Sequence, residues 1–292
     1  MTSYREGYVD VMGVKLYFRV SGEGGKTKLI CLHGGPGGSC DYLSPLLRLS
    51  ESGLEVLLYD QFGCGRSSDP ANDSCYTVEY GVEEVEGVRK AFYGDEKVVL
   101  LGHSYGGLLA IAYALNYQHN LKALIVSSGL SSVPLTVIEM RRLISEMPPQ
   151  LRDAIEKHEA RGEFTHPEYL RAVDEFYKKH LLRLPETPPD VARTMEFLQK
   201  RRVYSVMNGP NEFTIIGTIR DWDVTSRLGE IRVPTLITVG KYDEVTPNVA
   251  EVIHSGIPNS KLKLFENSSH MAMWEEPEEY LNTIKKFIEE IG

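Results

Sequence analysis

The sequence predicts an α/β fold with a mostly parallel central sheet, helices on both faces and a helical cap inserted into it. Three patterns carry that expectation. Between residues 55 and 128 short apolar runs alternate with helix-length segments, the signature of βαβ units and so of a parallel sheet. The stretch after Ser128, about ninety residues rich in Glu, Arg, Lys and Pro, keeps helical periodicity and has no strong strand. Alternation then resumes, so the sheet takes strands from both sides of the helical stretch. That makes the stretch a cap on one core and not a terminal domain. The expected organisation is a first part of the core over residues 1–128, a cap over 129–220 and a second part of the core over 221–292.

Taken in order, YVDVMG and VKLYFRV meet at a turn around Met12-Gly13, and KLICLHG follows the Gly-rich SGEGG. The first fifty residues therefore read as strands with an antiparallel edge. EVLLYD, KVVLLG and KALIVSS read as further strands, separated by the helical VEYGVEEVEGVRKAFY and YGGLLAIAYALNY. In the cap, Pro148-Pro149 and Pro188-Pro189 fall between apolar-periodic pieces, where proline ends one helix and spaces it from the next. About four to six short helices are expected there. PTLITVG, a helix from about Pro247, KLKLFE and a final helix from about Pro277 complete the fold. There is no internal repeat and no low-complexity tract.

With 292 residues and 42% hydrophobic composition the chain can bury a sizeable core. A net charge of -9, with acidic residues spread along the chain, argues against nucleic acid as a partner, because phosphates need a clustered basic surface. No segment approaches the roughly 18 continuous apolar residues that cross a bilayer, and MTSYREGYVD has no apolar stretch after a basic end. The expected location is cytoplasmic, without a membrane partner. Cys31, Cys40, Cys64 and Cys75 form no C-x-x-C pair and read as free thiols. Asn72-Asp-Ser and Asn267-Ser-Ser match the glycosylation pattern by chance, since that chemistry needs secretion.

The sharpest motif is Gly102-His103-Ser104-Tyr105-Gly106, placed directly after the strand-like KVVLL and before the helix-like LLAIAYAL. In that context the glycines permit a strained turn that lifts the Ser104 hydroxyl to the sheet's C-terminal edge, the nucleophile elbow of the α/β-hydrolase fold. A serine hydroxyl needs a base, and the base needs an orienting carboxylate. The fold orders them Ser, acid, His. Asp243 follows PTLITVG and His270 follows KLKLFE, where an open parallel sheet presents its active-site groups. His33 competes for the part of base, but its Gly-rich loop suits bracing better; Glu244 competes with Asp243, whose shorter side chain is the usual acid at this point. An imidazole of ordinary pKa, near 6.5, would set the acid limb of activity.

His33-Gly34-Gly35-Pro36-Gly37-Gly38 follows KLICL and lacks the G-x-x-x-x-G-K-[ST] pattern of a phosphate cradle. In this fold that loop supplies one oxyanion donor and the residue after the nucleophile the other, which assigns the backbone N–H groups of Gly35 and Tyr105. No H-E-x-x-H or comparable zinc-aminopeptidase cluster occurs, so neither metal nor cofactor is expected.

HGGPG at 33–37, DQFGCGRS at 60–67, GHSYGG at 102–107 and NGPNEF at 208–213 together resemble the proline iminopeptidases, most closely the tricorn-associated archaeal type. The resemblance runs from about residue 8 to the C-terminus. Phe62 stands where the family commonly has Arg, and Tyr105 where many relatives have Trp. The resemblance implies a metal-free serine aminopeptidase that releases proline and other apolar N-terminal residues from short peptides through an acyl-enzyme, with a larger upstream protease complex as a potential supplier. It also implies that two carboxylates bind the substrate's free amine, and the matching residues are Glu212 in NGPNEF and Glu244 in DEV. The alternative is an esterase or amide hydrolase on the same scaffold, since one fold hosts many chemistries. A dehalogenase or epoxide hydrolase would carry Asp at the elbow. A non-catalytic relative would lack a triad member.

Overall fold

The computed structural model describes residues 2–291, and the outer bounds of the expected core, residues 1 and 292, lie outside that range. Eight strands form one sheet: β1 (Arg5–Val11), β2 (Val14–Ser21), β3 (Thr27–Leu32), β4 (Leu54–Tyr59), β5 (Val98–His103), β6 (Leu121–Ser127), β7 (Thr235–Gly240) and β8 (Ser260–Phe265). Their spatial order is β1-β2-β4-β3-β5-β6-β7-β8. β1 pairs antiparallel with β2 and β2 with β4, and every later pairing is parallel. The antiparallel edge comes from the turn at Met12-Gly13, whose residues both have positive φ.

Every residue of β4, β5 and β7 is buried, because helices cover both faces of the parallel strands. Alternate residues feed two cores. Ile30, Leu57, Leu100, Leu124 and Ile237 pack with α1 (Val78–Tyr93), α2 (Tyr105–Tyr117) and α8 (Pro247–Gly256). Cys31, Leu58, Leu101 and Ile125 pack on the other face with α10 (Pro277–Ile291). A register slip of one residue would exchange the two sets, so the alternation fixes the pairing.

Residues 40–52 depart from the expectation that the first fifty are strands. Cys40–Ser52 is a 3-10 helix, begun by the Ser39 side chain accepting from the Asp41 N–H and ended at Gly53, where φ is 82°. Pro45 lacks the N–H a strand ladder would need, while Leu43, Leu46 and Leu47 fall on one helical face and are buried against the sheet.

Between β6 and β7 the chain forms α3 (Val133–Ser145), α4 (Pro149–Glu159), α5 (Pro167–His180), α6 (Pro189–Lys200) and α7 (Arg202–Met207). Proline opens α4, α5 and α6, where its fixed φ suits the first turn and its missing N–H costs nothing. These helices are tied to the sheet side by polar contacts. Arg201 donates to the Gly63 and Ser67 carbonyls at 2.6 and 2.7 Å, and Ser44 donates to Asp190 at 2.6 Å. Arg193 of α6 joins Arg19 and Arg66 around the fully buried Asp41 carboxylate. Among the described residues no helix is long and apolar enough to cross a membrane.

Candidate active site

Ser104 sits between the last residue of β5 and the first of α2 with φ 58° and ψ -126°, a strained conformation for a residue with a side chain. The turn closes because its flanks are glycines: a Cβ on Gly102 would lie 1.9 Å from the Gly106 oxygen, and one on Gly106 would lie 2.2 Å from the Leu32 oxygen. No other residue fits either place.

His270 lies in the loop between β8 and α9 (Ala272–Glu275), and its Nδ1 is 2.7 Å from Asp243 Oδ1 in the loop after β7. Asp243 Oδ1 also accepts from the Val245 N–H at 2.8 Å. The carboxylate thus fixes a proton on Nδ1 and leaves Nε2 to face the cavity that His270 lines together with Ser104. Glu244 Oε1 lies 3.9 Å from that Nε2. Glu244 is buried and its Oε2 has no hydrogen-bond partner. Glu212 comes from the segment after α7 and accepts from the Tyr204 hydroxyl at 2.7 Å, while its own N–H donates to Tyr177 Oη at 3.3 Å.

The electrostatics follow from three carboxylates around one imidazole. Shielding from water raises the pKa of Glu212 and, with Glu212 and Asp243 nearby, raises that of Glu244 well above the ordinary range. Burial alone would lower His270, but the charge and hydrogen bond of Asp243, then Glu244 and Glu212, outweigh it and push the imidazole up to about 9. The acid limb expected from an ordinary imidazole therefore moves upward.

Two cavities meet at Ser104. One is lined by Gly34, Tyr42, Leu198, His270 and Met271 among others. The other is walled by Leu108, Leu130, Met140, Ile215, Ile219 and Val245. Gly35, Ser104, Glu212 and Glu244 line both, so the two carboxylates stand at the junction beside the serine. The glycine loop presses against the elbow: a Cβ on Gly34 would lie 2.6 Å from the Ser104 Cβ, and Gly35 has φ +120°. Tyr105 opens α2, whose N-terminal N–H groups point toward the same place.

The structure thus brings Ser104, His270, Asp243, Glu212, Glu244, Gly35 and Tyr105 together. His33 stands apart as a brace. Its Nε2 accepts from the Gln61 N–H at 3.0 Å, its Nδ1 is bound to the Gly34 carbonyl at 2.9 Å, and burial lowers its pKa. Sequence reasoning missed Tyr204 and Tyr177, which hold Glu212, and His180 at the end of α5. The His180 carbonyl accepts from the N–H groups of both Glu244 and His270 at 3.2 Å, a main-chain tie that no side-chain pattern announces.

Among the described residues one other cluster has ligand-type groups. Ring nitrogens of His158 and His166 and a Glu168 oxygen lie within 4.8 Å of one another. Both His158 nitrogens are already bonded to Glu163 and Glu168, at 2.7 and 2.9 Å. The two rings stack at 4.0 Å with 18° between planes, so their in-plane lone pairs cannot converge on one ion.

The sequence model of the α/β hydrolase fold family matches residues 28–277. The protein named proline iminopeptidase from Saccharolobus solfataricus is 61% identical over 287 residues, covering 98% of this chain and 93% of its own length. One of the same name from Thermoplasma volcanium is 56% identical over 285 residues, covering 97% and 96%. The crystal structure of a Mycobacterium smegmatis proline iminopeptidase superposes with a TM-score of 0.91 at 33% identity, covering 98% of each chain.

Proposed function

The chain belongs to the proline iminopeptidase family of the α/β-hydrolase fold, and we propose that it releases N-terminal proline, and other apolar residues, from short peptides through an acyl-enzyme on Ser104. The observation that carries the reading is the pair Glu212 and Glu244 at the junction of two cavities, beside Ser104 and His270. An exopeptidase must hold an ammonium one residue away from the bond it cuts. Carboxylates shielded from water are the groups able to hold one strongly, and the partnerless Glu244 Oε2 is a ready acceptor.

In this reading the N-terminal residue lies in the cavity walled by Leu108, Met140 and Ile219, whose apolar surface suits a pyrrolidine ring, and its ammonium sits between Glu212 and Glu244. His270 Nε2 takes the Ser104 proton as Oγ attacks the carbonyl carbon. The oxyanion is met by the N–H groups of Gly35 and Tyr105, and loss of one such donor typically costs about 3 kcal/mol of transition-state stabilisation. Imidazolium then gives its proton to the leaving amine, and the shortened peptide departs. Water, deprotonated by His270, hydrolyses the acyl-serine and frees the amino acid. The helices over the site admit short or unfolded peptides, which presuppose proteolysis upstream. Four free cysteines suit a reducing compartment and support a cytoplasmic location.

The test compares a prolyl anilide with its N-acetylated form and with a simple ester. Rapid cleavage of the free-amine substrate alone supports the aminopeptidase; equal cleavage of the blocked anilide or preference for the ester overturns it in favour of the esterase reading.

A further inference from the structure

We propose that Tyr42 and His103 are positioning residues that set the distance between the oxyanion loop and the catalytic imidazole. The proposal rests on the reading of Ser104 and His270 given above. It stands on a run of three buried hydrogen bonds between segments far apart in the chain. The Gly34 N–H donates to Tyr42 Oη at 2.7 Å. Tyr42 Oη is 2.8 Å from His103 Nδ1, and His103 Nε2 is 2.8 Å from the His270 carbonyl oxygen.

Every proton in this run is determined. A carbonyl oxygen only accepts, so His103 Nε2 carries a hydrogen. Burial, and then the neighbouring His270, hold the His103 pKa well below its ordinary value, so the ring is neutral and Nδ1 is bare. Nδ1 must therefore accept the Tyr42 O–H, whose oxygen keeps a lone pair for the Gly34 N–H. No member can be rotated or reprotonated without leaving a buried group unpaired, which is costly. Tyr42, His103 and His270 are 3%, 1% and 3% exposed, so water offers no substitute. Tyr42 grips the histidine side a second time, because its own carbonyl accepts the Trp274 Nε1–H at 2.7 Å just beyond His270.

The neighbouring residues Gly34 and Gly35 begin the loop that would bind the oxyanion, and His270 is the base that would take the serine proton. One tyrosine and one histidine thus span the two groups whose separation must match the reacting carbonyl. A misplacement of about 1 Å between such groups can cost on the order of a hundredfold in rate.

The experiment measures kcat and KM on a prolyl anilide per active site, with sites counted by stoichiometric fluorophosphonate labelling so that unfolded protein does not enter. Tyr42→Phe keeps the ring and removes the hydroxyl. It is expected to lower kcat by about ten- to a hundredfold with KM within about threefold. His103→Ala should do the same, and the double variant should be no worse than the poorer single one, since both break one run. His103→Gln, which can still donate from one end and accept at the other, should recover part of the rate. A kcat per labelled site within about twofold of the parent in Tyr42→Phe, or additive losses in the double variant, overturns the proposal. If Tyr42→Phe does not fold, equal kcat for His103→Ala and His103→Gln overturns it in the same way. Failure of the parent reading looks different: the parent itself would not label at Ser104.

Discussion

Replacing Glu244 by Gln should move two activities of this enzyme in opposite directions. Phosphonylation of Ser104 by a fluorophosphonate needs a neutral His270 but no substrate ammonium, so its rate against pH reports the imidazole of the free enzyme. With His270 pushed up to about 9, imidazolium persists through neutral pH, and the labelling rate should rise through that value. Glu244 Oε1 lies 3.9 Å from His270 Nε2. A full charge at about 4 Å in an effective dielectric near 20 is worth about 4 kcal/mol, or about three pH units at about 1.4 kcal/mol each. Shielding from water raises the Glu244 pKa and so favours its neutral form, which weakens that charge, and a downward move of about one to two pH units is expected. At pH 7 Glu244→Gln should then label about ten times faster or more, because more of the base is free. On prolyl anilide the same variant should lose about ten- to a hundredfold in kcat/KM, since it forfeits a charge-assisted bond to the ammonium worth roughly 1.5 to 3 kcal/mol. A labelling profile that does not move, or that slows at every pH, would refute the reasoning.

Ser104→Ala should abolish turnover, by about 10⁴-fold or more, while circular dichroism stays native; more than about a tenth of parental activity would sink the serine mechanism. Glu212→Gln should lower kcat/KM on free-amine substrates by about ten- to a hundredfold and leave an N-acetylated substrate unchanged, and equal losses on both would remove Glu212 from amine binding. EDTA should leave activity intact; inactivation reversed by zinc would contradict the reading. Asp41→Ala strands the buried Arg19 guanidinium and should cost about 3 to 5 kcal/mol in urea unfolding, checked by the denaturation midpoint. Burial opposes ionisation of Asp41, yet Arg66, Ser39 and Arg19 hold its pKa down to about 2, so this stability should persist at neutral pH and fade as pH falls toward that value.

What could be read in the sequence divides by the range of the physics. Period-two and period-3.6 patterns are local, and they placed all eight strands within a few residues and gave α1 and α2 their ends at Val78–Tyr93 and Tyr105–Tyr117. The elbow was legible for the same reason, because strand, glycine, serine and helix are contiguous. The Cys40–Ser52 helix was hidden by a short apolar run that strand and helix share, although Leu43, Leu46 and Leu47 carried the helical spacing. The Tyr42 to His103 bond spans 61 residues and the His103 to His270 bond 167, and no periodicity records either. His270 could not be given its raised pKa for a related reason. That shift comes first from Asp243 and is extended by Glu244 and by Glu212 of the helical insertion, and only the folded chain brings all three to one imidazole.

In the proposed reading that juxtaposition links recognition to chemistry. The charge of Glu244 and Glu212 in the free enzyme adds to that of Asp243 in favouring the imidazolium, which holds back the base. An ammonium seated between Glu212 and Glu244 would offset that charge, so the imidazole pKa should fall when the substrate binds. A peptide with a blocked N-terminus would then fail twice, losing both its anchor and the release of the base. The acid limb of kcat, which reports the bound state, must accordingly lie below that of the labelling reaction, which reports the free one. Coincident limbs would mean that the two carboxylates bind the amine without governing His270, and recognition and proton transfer would have to be treated as separate properties of the site.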